Sequence, residues 1–173
     1  MKEILEILKY VIPSFIVFLT SYFILRAFVK KEVQKDKFKI SQENYKLITP
    51  MRLQAYERFT LFLERISPES LVLRLHGNDM NVQDLQTEIL INIRKEFEHN
   101  IVQQIYVSPK TWLVIKRAKE QIIEIVNMSA SELDSNANAF ALSKKILNKV
   151  LIMKEIPTNM AINFIKREMN DIF

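Results

Sequence analysis

Apolar residues are distributed along this chain in three patterns, and each predicts a different element. From Tyr10 to Leu25 no residue is charged. If Arg26 reaches sideways, the apolar run extends to Val29, about twenty residues and enough to cross a hydrocarbon layer roughly 30 Å thick. This first pattern predicts a transmembrane helix over 10–29, with Pro13 near its outer edge and Tyr10 placed as an interfacial ring.

The second pattern is helical periodicity, which fills most of the rest. A helix is predicted from Pro50 to Ile66, with Leu53, Tyr56, Phe59, Leu63 and Ile66 on one stripe. A longer one begins after Asn81, where Val82, Leu85, Ile89, Ile93, Phe97, Ile101 and Ile105 recur at steps of three or four. A strand at "QQIYVS" competes with its last turn. Another helix runs from Pro109 to about Met128, with Trp112, Ile115, Ile122 and Val126 inward, and "SASELDSNANA" reads as a linker or a helix start. Helices over 136–154 and 157–172 close the chain.

The third pattern is ambiguous. In "SPESLVLRLHG", Leu71, Leu73 and Leu75 alternate with Val72, Arg74 and His76, which suits a strand, yet a short helix ending at Gly77 in a left-handed C-cap is the favoured reading. Composition supports the helix. One glycine and five prolines in 173 residues leave little turn chemistry for hairpins. "TP" at 49 and "SP" at 67 and 108 each set a hydroxyl N-cap before a first-turn proline. The fold class expected is all-α: one transmembrane helix, then a helical bundle. Its expected organisation is a short tail over 1–9, the span over 10–29, a basic connector over 30–48 and a helical soluble domain over 49–173.

Charge sets the expected orientation. The leader "MKEILEILK" balances its lysines against Glu3 and Glu6, and no small-x-small cleavage triplet follows the apolar run, so the span reads as a permanent anchor. Arg26, Lys30, Lys31, Lys35, Lys37 and Lys39 follow it, which predicts a cytoplasmic C-terminal side and attraction to anionic lipid headgroups. Residues 1–39 hold eight Lys/Arg and four Asp/Glu, or +4 of the net +5. The remaining residues are nearly neutral, which argues against nucleic acid as a partner.

The residues offer little for catalysis. There is no cysteine, and His76 and His99 are the only histidines. A single glycine excludes the common nucleotide-binding loops, and no cofactor is indicated. "EFEH" places Glu96 and His99 at i and i+3, as in di-iron carboxylate bundles, but the second Glu-x-x-His is missing. In "EHNIVQQIYVS", the residues Glu98, His99, Asn100, Gln103 and Gln104 form a polar band on a helix and a candidate partner-binding face.

"RLQAYERFTLFLERISP" and "EFEHNIVQQIYVS", with the span before them, resemble a family of short uncharacterised bacterial membrane-anchored proteins. The resemblance covers the span and roughly 52–127. It implies a bacterial inner-membrane setting and carries no activity. The expected function is therefore a single-pass, membrane-anchored interaction or scaffold protein, presenting its domain to a protein partner or to further copies of itself. The alternative is a membrane-tethered metal protein or enzyme using Glu96 and His99 with carboxylates such as Glu88 or Glu124.

Overall fold

The computed structural model describes the backbone of residues 2–77 and 79–172, and the side chains of 15–32, 35, 46–77 and 79–171. Within them the chain forms α1 (Lys2–Arg65), α2 (Pro68–Leu75), α3 (Val82–Asn100), a 3-10 helix (Ile101–Tyr106), α4 (Pro109–Ser131), α5 (Ala139–Leu151) and α6 (Pro157–Ile172). The all-α class holds. The chain divides into two compact units, Met1–Thr49 and Pro50–Phe173.

In the first unit the expected transmembrane helix is corrected. Among the described residues no helix is long and apolar enough to cross a membrane. Tyr10–Ser14, the start of the expected span, lies outside the described side chains. The uncharged run that begins at Tyr10 ends at Leu25 before Arg26, about 24 Å of helix against a hydrocarbon layer of roughly 30 Å. The membrane as partner, the inner-membrane location and the anchored-scaffold function rested on that span and are corrected with it. Arg26, Lys30, Lys31 and Lys35 are exposed, while Lys37 and Lys39 lie outside the described side chains.

The second unit holds one apolar core. Tyr56, Phe59 and Leu63 of α1, and Ile66 just past its end, are buried as their spacing predicts, joined by Phe62, whereas Leu53 is 38% exposed. They meet α3 and α4 through an aromatic seam. Phe97 and Trp112 stack with ring centroids 5.5 Å apart, flanked by Phe62 and Phe59. The ammonium of Lys119 sits 4.2 Å from the Phe97 centroid and closes the seam from outside. α4 packs against α3, α5 and α6, and α2 packs against α3 and α5.

Local sequence explains most helix boundaries. Ser67 and Ser108 accept hydrogen bonds from the backbone of Ser70 and Thr111, each before a first-turn proline. Asn81 and Asp84 form a reciprocal capping box at α3. Asn138 caps α5 through the Phe140 N–H at 2.8 Å. A short antiparallel bridge then ties the starts of α3 and α5, with Val82 N–H donating to Ala137 at 2.9 Å and Ala139 N–H to Met80 at 3.0 Å.

Three local expectations fail. Thr49 does not cap a new helix, because α1 is helical on both sides of Pro50. Gly77 does not have positive φ; a Cβ there would meet the end of the Met80 side chain, with Sδ at 3.2 Å. The helix predicted through Ile105 leaves α geometry after Asn100. A 3-10 turn advances about 20° more per residue than an α turn, so the apolar stripe rotates out of the core, and Ile101 and Ile105 are 38% and 69% exposed.

One carboxylate clasps three segments of this unit. Glu168 on α6 accepts from Tyr56 Oη at 2.5 Å, from Ser108 N–H at 3.4 Å, from Thr111 Oγ1 at 2.5 Å and from Ser108 Oγ. The same Ser108 Oγ caps α4 by accepting from Thr111 N–H at 3.1 Å. Arg52 braces the cluster, donating to the Tyr106 carbonyl at 3.2 Å and to Tyr56 Oη at 3.5 Å. Burial pushes the Glu168 carboxyl up, but hydrogen bonds from Ser108, Thr111 and Tyr56 outweigh it and hold the group below the ordinary carboxylate range. Burial and the bond to Glu168 push the Tyr56 phenol up to about 12.

Both shifts favour ionised Glu168 beside neutral Tyr56. The carboxylate contributes stability above its unfolded pKa, lost as pH falls through the depressed folded value. The phenol contributes below pH 10.0, and its share fades as pH rises toward about 12. Glu168→Gln, which weakens charge-assisted bonds, is expected to cost about 1.5–3 kcal/mol in urea unfolding at neutral pH, with a flatter acid limb than wild type. An unchanged urea midpoint would show that the clasp carries no stability.

Candidate functional site

A groove lies between α2 and α5, and it arises because neither helix can bury all of its apolar residues. α2 has two turns and commits Pro68, Leu71 and Val72 to the core, which leaves Leu73 82% exposed. α5 buries Leu142, Ile146 and Val150 on its inner stripe. Phe140, Leu147 and Leu151, at steps of seven and four, make a second stripe; Phe140 is 64% and Leu151 78% exposed, and Leu147 is half-buried. Between the helices is a cavity of about 500 Å³, within the usual range of ligand sites.

Its polar groups are few. Ser143, 4% exposed, lies on the α5 side, with its Oγ 3.4 Å from His76 Nδ1. The His76 ring meets Phe140 edge-on at 6.5 Å between centroids. Lys144 and Asn148 complete the lining. Lys145 and Lys149 point to Glu132, each at 2.7 Å, and these bonds hold that carboxyl down at about 2.

The Ser143 and His76 pair is not built for nucleophilic attack. Such a serine needs a base oriented by a third group and free N–H donors for the oxyanion. No carboxylate lines the groove to orient His76, and Ser143 sits within a helix whose N–H groups serve the helical ladder. The contact satisfies a buried hydroxyl. The Glu168 cluster borders another cavity, of about 740 Å³, but both of its oxygens are already engaged by donors of this chain.

The alternative reading, a metal protein or enzyme built on Glu96 and His99, is corrected. Among the described residues no three His, Cys, Asp or Glu side chains are grouped to hold an ion. Glu96 instead pairs with Arg65 at 2.9 Å and Arg74 at 3.7 Å. Glu88 accepts from Asn92 at 3.3 Å. Of the polar band at the end of α3, Glu98, His99 and Gln104 are exposed and Gln103 is half-buried. Asn100 is buried and donates to the Glu96 carbonyl at 2.8 Å. Gln103 and Gln104 lie in the 3-10 helix, past the end of the α3 helix that carries His99.

Neither α2 nor α5 entered the list of sequence candidates. The available signal was the two apolar stripes of α5, since a helix that is apolar beyond one face has more to cover than one core contact.

The fold is an all-helical domain with an apolar groove between α2 and α5, and among the described residues no three metal-ligating side chains are grouped. The chain belongs to the family of unknown function DUF7935, whose match covers residues 2–172. No curated protein and no solved structure matches it. The resemblance to bacterial membrane-anchored proteins is corrected accordingly: the family match brings neither an anchor nor a bacterial origin.

Stability and groove surface can be separated experimentally. Phe140→Ser and Leu151→Ser remove side chains already in water and are expected to change unfolding free energy by no more than about 0.5 kcal/mol. Ile146→Ala, on the buried stripe of the same helix, is expected to cost about 2–5 kcal/mol. Equal losses in thermal or urea unfolding would mean that the outer stripe is held for packing.

Proposed function

We propose that this protein is a docking module, and that the α2/α5 groove receives the apolar face of another molecule. The observation that supports this is the contiguity of Leu73, Phe140 and Leu151, which are 82%, 64% and 78% exposed around one cavity. Single exposed apolar residues are ordinary. Several large ones grouped around a concavity mark an interaction surface, because leaving them in water costs about 25 cal/mol per Å². Most of the surface of these side chains is left uncovered by the fold, which a docked partner would cover.

The absence of cysteine from the sequence permits a site-specific test on the full chain. An environment-sensitive fluorophore is attached at Asn148→Cys in the groove, or at Arg94→Cys on the exposed side of α3. Both are titrated with a synthetic amphipathic helix carrying a leucine stripe and only glutamine elsewhere. A saturable blue shift at position 148, absent at 94 and lost when Phe140→Ser is added, is expected. No response at 148, or equal responses at both sites, would rule the groove out as a docking surface.

A further inference from the structure

Resting on the docking reading above, we infer that the occupant of the α2/α5 groove is an amphipathic helix from a different protein, with carboxylates flanking its apolar stripe. Extent is the first argument. Phe140 and Leu151 stand eleven positions apart on α5, about 16 Å or three helical turns. Leu73 forms the opposite wall, and Ile152, 85% exposed, extends the apolar surface past the cavity. A small molecule filling about 500 Å³ would leave those outer surfaces wet. A helix laid along the groove with anchors at i, i+3 or i+4, and i+7 covers them.

Charge is the second argument. The groove is lined by Lys144 and by no aspartate or glutamate. Lys144 is exposed and has no ion pair among the described residues, whereas its neighbours Lys145 and Lys149 are both committed to Glu132. Asn148 and the His76 ring add hydrogen-bonding capacity and no negative charge. An incoming carboxylate therefore finds an available cation at the edge of the apolar strip.

The same inventory disfavours a second copy. A two-fold pairing places the same patch on both sides, so each Lys144 would face a groove without a counter-charge. A further exposed apolar stretch, Phe15–Val29, carries Arg26 and is followed by Lys30 and Lys31. Its charge has the same sign as that of Lys144.

The test uses three peptides with one leucine stripe and glutamate, glutamine or lysine flanks, titrated against the full-length Asn148→Cys reporter at low salt. Oleate is titrated in parallel as a small carboxylate amphiphile. The glutamate peptide is expected to bind roughly fivefold tighter than the lysine peptide, the scale of an exposed charge contact. That preference is expected to fall at high salt and to reverse in Lys144→Glu. Equal binding of all three peptides, each still weakened by Phe140→Ser, overturns the acidic-helix inference and leaves the docking reading standing. Tight oleate binding with no peptide response overturns it in favour of a small ligand. Concentration-dependent self-association abolished by Phe140→Ser, seen by analytical ultracentrifugation, overturns it in favour of a second copy. Silence from every probe removes the docking reading as well.

Discussion

The arrangement of the folded unit turns on a partly buried carboxylate that is nowhere near its partners in sequence. Glu168 gathers Tyr56 from α1 and Ser108 and Thr111 from the start of α4. Tyr56 and Thr111 are fully buried, so removing the carboxylate would leave donors without partners in low dielectric. The position at the amino end of α4 also suits a negative charge, since the first N–H groups of a helix present partial positive charge. α4 in turn packs against α3, α5 and α6. Holding its first turn thus holds the element around which the others are arranged.

The groove follows from a mismatch between apolar content and available core. α5 buries one stripe, Leu142, Ile146 and Val150, while Phe140, Leu147 and Leu151 lie along another. α2 is too short to cover that second stripe and adds an exposed leucine of its own. The salt bridges sharpen the result. Glu132 takes up Lys145 and Lys149, and Glu96 takes up Arg65 and Arg74. Lys144 is left as the charged group of the groove, and the proposed preference for an acidic helix rests on it.

Much of the fold was legible residue by residue. Ser67 and Ser108 before proline mark true helix starts, and Asn81 with Asp84 closes a capping box. The stripes of α1, α3 and α4 identify Tyr56, Phe59, Ile89, Ile93, Ile115 and Ile122 as core. The failures have physical causes. Pro50 follows a threonine and imitates a helix start, yet lies inside α1. Ile101 and Ile105 keep helical spacing, but their turn is wound as a 3-10 helix. Glu96 and His99 share the spacing of metal ligands, while two arginines from other elements claim the glutamate. The outer stripe of α5 was visible as surplus apolar character and went unread, because periodicity shows how many apolar faces a helix has and not which of them is covered.

By itself, the sequence determined the all-helical class, the helix starts at Pro68, Val82, Pro109 and Pro157 and the inner stripes, because these depend on interactions within one turn or on a period of 3.6 residues. Only the tertiary structure decided that Glu168 meets Tyr56 across 112 positions, that α3 ends at Asn100, and that α2 and α5 leave a groove between them. Those outcomes depend on which helix faces lie against one another, and a local pattern of apolar and polar residues holds no record of that choice.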